Sequence, residues 1–62
     1  MILQDALNLA EELLSSTDYV SFINALNMKN YMRARIITLN YEYDIRSSRL
    51  EDFVINLIME ED

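Results

Sequence analysis

Sixty-two residues allow one small domain, and a chain this short buries a modest share of its surface and is marginal by itself. It holds no cysteine and no histidine, which excludes disulfide staples, ordinary zinc sites and nucleophilic pairs built on Cys–His or Ser–His. The net charge of −6 weighs against a non-specific grip on nucleic acid or anionic membrane, while a hydrophobic content of 52% is too high for a disordered acidic tail.

Glycine and proline are both absent. At average usage this happens in on the order of a few chains per ten thousand of this length. All-β folds depend on those residues for their turns; helical bundles manage with Asn, Ser and Asp. The expected fold is therefore all-α: one domain over residues 1–62, a compact bundle of three or four short helices.

Residues 2–15 read as an amphipathic helix. Leu3, Ala6, Leu7, Ala10, Leu13 and Leu14 share one face, widened by Ile2 and Leu9 on a flank. Gln4, Asp5, Asn8, Glu11 and Glu12 take the other face, and Asp5 suits the positive end of the helix dipole. Ser15-Ser16-Thr17-Asp18 is the clearest break, with Ser16 or Thr17 expected to cap a second helix over 18–27. Its buried stripe is Tyr19, Phe22, Ile23 and Leu26. A turn is expected between Asn27 and Asn30, because Asn tolerates the left-handed conformation that ends helices.

Residues 28–45 admit two readings. As a helix, Met28, Met32, Ile36, Leu39 and Tyr43 fall within an arc of roughly 80° at ~100° per residue. Ala34, Ile37, Tyr41 and Ile45 then form a second apolar patch on the far side. As a strand, Ile37, Leu39, Tyr41, Tyr43 and Ile45 alternate with polar residues, which gives an α+β alternative with residues 35–45 pairing across a dimer. No second strand-like run and no glycine turn are present, so the helix is preferred. Glu42 and Arg46 are spaced to pair along it.

Arg46-Ser47-Ser48 reads as the next break. Ser48-Arg49-Leu50-Glu51 matches a capping box and should start the last helix. Leu50, Phe53, Val54, Leu57 and Ile58 form its stripe, with Ile55 and Met59 paired off it.

No enzyme is expected. Adjacent carboxylates such as Glu11–Glu12 or Glu51–Asp52 point ~100° apart on a helix and make no catalytic dyad. Lys29 is the only lysine, and no glycine is present for a phosphate or calcium loop. No cofactor and no metal site is expected. The chain carries no secretory leader pattern and no bilayer-length apolar run, so a cytoplasmic location is expected.

Acids gather toward the ends, and the bases Lys29, Arg33, Arg35, Arg46 and Arg49 lie inside; solvated helix faces are the simplest account. Tyr31, Arg35 and Tyr41 are residue types that anchor protein interfaces, and Ile55 with Met59 adds apolar surface. The expected function is a non-catalytic protein–protein interaction module whose partner is another protein, including a second copy of itself as a homodimer. Small size and acidity are shared with phage or mobile-element inhibitors and adaptors, an analogy of composition alone. One version is an acidic nucleic-acid mimic. The alternative is a small dimeric DNA-binding regulator or antitoxin.

Overall fold

A computed structural model describes residues 3–61, with side chains through Glu60. Four helices follow one another: α1 (Leu3–Leu13), α2 (Ser16–Asn27), α3 (Tyr31–Leu39) and α4 (Ile45–Glu61). No strand occurs among the described residues, so the all-α fold stands and the pairing of residues 35–45 as a strand does not occur. Ile2 and Asp62 lie outside the described residues.

α1, α2 and α4 bury most of the stripe that their periodicity marks, with Leu3 left exposed, whereas α3 buries only one of its two apolar sides. Ala6, Ala10, Leu13 and Leu14 from the α1 segment meet Phe22 and Ala25 of α2, Ala34 and Ile37 of α3, and Leu50, Phe53 and Val54 of α4. Phe22, Leu50 and Val54 are fully enclosed. Burying side chains of this size is worth about 1.5–3 kcal/mol each, which is most of what holds so small a chain together. α3 packs on α2 and α4, and α1 packs on α4 and, less extensively, on α2.

The junctions depart from expectation in four places, each with a local cause. α2 is capped by Ser15, not Ser16 or Thr17: its Oγ accepts from the Asp18 backbone N–H at 3.2 Å. α2 ends in a Schellman turn, in which the Asn30 N–H reaches the Ala25 carbonyl and the Lys29 N–H reaches Leu26. The left-handed residue is Lys29 (φ 57°), not an asparagine. Asn30 is taken by another task, since its Oδ1 caps α3 by accepting from the Arg33 N–H at 3.4 Å.

The central helix is shorter than expected. It stops at Leu39, and residues 40–44 form a turn held by Tyr41 N–H to Thr38 and Asp44 N–H to Tyr41. Ile45 consequently leaves the inward patch and stands exposed at the start of α4.

α4 begins at Ile45, three residues before the Ser48 capping box. Asp44 does the capping: its Oδ1 accepts the Arg46 N–H at 2.9 Å. Arg46-Ser47-Ser48 is thus the first turn of the helix and not a break. Tertiary contact requires this, because Ser47 is buried and its hydroxyl donates to the Thr38 carbonyl at 2.6 Å. Glu51, free of any capping duty, accepts from Arg35 at 3.2 Å instead. No buried polar side-chain atom among the described residues lacks a partner.

Candidate functional site

α3 has apolar residues on two opposite sides. The inward side is Ala34 and Ile37, with Tyr41 packed on the core just beyond the helix end. The outward side is Met32, Ile36 and Leu39, which lie within an arc of roughly 60° at ~100° per residue. These three remain 54%, 58% and 40% exposed. Met28, in the turn before α3, and Tyr43, in the turn after it, are more exposed still.

The choice of face follows from size and polarity. Ala34 is small enough to let α3 approach its neighbours closely, and it is completely buried. Thr38 sits beside it with its hydroxyl donating to the Arg35 carbonyl at 2.6 Å, so it enters the core with its polar group satisfied. The Met32 and Ile36 side chains are left facing out.

Charge is distributed unevenly along this face. Lys29 and Arg33 are exposed at its N-terminal end and make no ion pair among the described residues. Glu42 is exposed at the other end. Asp44 is neutralised locally: Arg46 binds both of its carboxylate oxygens, at 3.1 and 2.7 Å through Nε and Nη2. Hydrogen bonds from the Arg46 side chain and then its backbone hold the Asp44 carboxyl down at about 2. The same side-chain bond raises the Arg46 guanidinium above its ordinary value.

The five residues expected to bind a partner do not form one surface. Tyr41 is committed within the fold: its hydroxyl accepts the Ser15 backbone N–H at 2.9 Å and donates to Asp18 Oδ2 at 2.6 Å. Met59 is exposed beside Leu3 in a shallow depression with Phe53 and Leu57. These two places lie at opposite ends of α1, whose 11 residues span about 16 Å. Arg35 is held by Glu51, with both side chains partly exposed. Tyr31 packs against the core and lines an apolar groove of about 250 Å³ with Leu7, Ile23, Leu26 and Leu57. Ile55 is half-buried.

The sequence marks the outward face as one of two apolar sides of the central helix, without fixing which of the two the fold leaves open. The usable signal was the contrast between the two arcs of residues 28–45. One contains Ala34, small enough for a crowded core; the other contains only large side chains.

Among the described residues, no group of three or more acidic, Cys or His residues is placed to hold a metal ion. No helix among them is long and apolar enough to cross a membrane. Comparison with protein-family models, with curated proteins and with solved structures finds no match to this chain.

Proposed function

We propose that the chain is a non-catalytic protein-binding module that docks through the outward face of α3. The observation that supports this is the exposure of Met32, Ile36 and Leu39 on one side of one helix. With Met28 they leave roughly 400–500 Å² of side-chain surface open, the size of patch that is often functional on a monomer. Methionine suits such a surface because its flexible, polarisable side chain adapts to a partner. Binding would then change the partner's activity. The role of a phage or mobile-element inhibitor or adaptor, and a cytoplasmic setting, belong to this proposal and rest on composition.

A photo-reactive amino acid at position 36, in the full chain expressed in its cell of origin, tests the reading. Covalent adducts to a protein chain, whether a second copy of this one or a different protein, support docking through α3. Absence of any adduct at 36, with efficient adducts from a probe at an α1 position such as Asn8, refutes it. The nucleic-acid-mimic version makes a different demand, since acids on α1 and α4 would give binding that weakens steeply with salt.

The three-residue connection between α2 and α3 favours a second reading, the small DNA-binding regulator or antitoxin, with α3 placed as a recognition helix follows its turn. Against it, the outward face of α3 offers DNA mainly apolar side chains, with Arg33 on its flank. Retention on a generic DNA column at low salt would favour this reading, and flow-through would count against it.

A further inference from the structure

We propose that the occupant of the α3 face is a second copy of this chain, with the two α3 helices packed antiparallel about a twofold axis at Ile36. The inference rests on the docking reading above and names its partner.

Three observations carry it. The first is the spacing of the stripe. Counted from Ile36, large apolar residues of α3 stand four positions back, at Met32, and three positions on, at Leu39, with Met28 and Tyr43 exposed in the turns on either side. Read in reverse, the series is almost unchanged. An antiparallel copy therefore sets Ile36 against its own equivalent and Met32 against Leu39. A twofold interface requires this self-complementarity, because one patch must serve both sides.

The second is charge. Lys29 and Arg33 mark one end of the face and Glu42 the other. Antiparallel pairing brings the basic end of one copy to the acidic end of the other; parallel pairing would set like charges together. The net charge of −6 opposes self-association in general, but the acids Asp5, Glu11, Glu12 and Glu60 sit on α1 and at the far end of α4. α1 does not pack on α3, so the α1 acids stay off the contact.

The third is area. Met28, Met32, Ile36 and Leu39 offer roughly 400–500 Å² per copy, over half of the ~800 Å² that a standard interface takes from each partner. That is enough for a reversible dimer and short of an obligate one.

The test uses the purified full chain in sedimentation velocity, from about 1 μM to about 1 mM. The expected result is a concentration-dependent shift from monomer to dimer. Ile36→Asp places two carboxylates at the axis and should abolish the dimer across that range, with helical circular dichroism retained because Ile36 is exposed. Glu42→Lys should raise the dissociation constant roughly three- to tenfold through its two equivalent contacts, and adding Lys29→Glu should restore it to within about twofold.

Orientation is read by cysteine, since the chain has none of its own. Helices 8–10 Å apart bring facing Cα atoms to about 5 Å, within disulfide reach. Ile36→Cys should therefore form a self-linked dimer on mild oxidation. A mixture of Met32→Cys and Leu39→Cys should cross-link, and Met32→Cys alone should not.

A chain that stays monomeric at the highest concentration overturns the self-pairing. The docking reading then still stands or falls on the adducts at position 36. A dimer indifferent to Ile36→Asp, or one linked readily by Met32→Cys alone, overturns the proposal as well.

Discussion

Tyr41→Phe removes one oxygen atom and should cost this protein a large share of its stability. The hydroxyl joins the turn before α4 to the start of α2 through two hydrogen bonds, to the Ser15 N–H and to Asp18 Oδ2. In an ordinary capping box the third helical residue reaches back to the N–H of the capping residue. Asp18 holds that third position after Ser15, but Tyr41 stands between them and relays the contact. A bond to a neutral partner is worth about 0.5–1.5 kcal/mol and one to a charged partner about 1.5–3 kcal/mol. Ser15 is exposed and Asp18 only partly covered, so water replaces part of both when the hydroxyl is lost. The expected net loss is about 1–2 kcal/mol. A chain of 62 residues has roughly 3–9 kcal/mol in total. Urea unfolding followed by circular dichroism reads the effect. With an m-value near 1 kcal/mol/M, the low end for small domains, the midpoint should fall by about 1–2 M at unchanged slope. The cycle with Asp18→Ala apportions it: the two single losses should exceed the double loss by about 1 kcal/mol. Strict additivity, or a midpoint within about 0.3 M of the parent, would refute the relay.

Two further outcomes are expected. Lys29→Gly should stabilise the fold by about 0.5–1 kcal/mol, because the left-handed conformation costs a residue with a Cβ about 1–2 kcal/mol and glycine returns part of that as unfolded-chain entropy. Thermal melts in dilute solution check it, and a lowered melting temperature would contradict the Schellman geometry. Asp44 gives a pH signature. Its folded-state value, about 2, lies below its ordinary 3.8, so its contribution is fully present above roughly pH 4 and is lost as the pH falls toward 2. The stability advantage of the parent over Asp44→Asn should therefore shrink between pH 5 and pH 2. An advantage constant across that window would show that the Arg46 contact does not act on the charge.

The sequence declares the helices because burial periodicity is a property of single segments. The stripes at Ala6–Ala10–Leu13, at Phe22 and at Leu50–Phe53–Val54 are complete within one turn pattern each and are found where expected. The absence of glycine and proline had already turned the balance against strands. The helix starts were less legible because capping chemistry is local and degenerate. Asp44 and Ser48 both qualify as caps for α4. The choice is made by Ser47, which needs its place on the helix to reach the Thr38 carbonyl from a different element. Lys29 takes the left-handed position for a similar reason, once Asn30 is committed to α3. The candidate site was legible as a group of residues and not as a surface. A helix with two apolar sides does not announce which one the neighbours will cover, and that is decided by Ala34 and Thr38 fitting between α2 and α4. Two of the interface-type residues, Tyr41 and Arg35, carry polar groups that the fold itself employs.

The connections between helices have a consequence for how quickly the chain finds its structure. They are two, three and five residues long, and the most extensive packing joins neighbours in sequence, α3 with α4 and α2 with α3. Topologies dominated by such near-neighbour contacts form on the microsecond to millisecond scale. The Tyr41 bridge is different in kind, since it joins positions 26 and 23 residues apart and must close a loop before it gains anything. A contact that forms after the transition state acts on unfolding alone, so Tyr41→Phe is expected to speed unfolding and leave the folding rate unchanged.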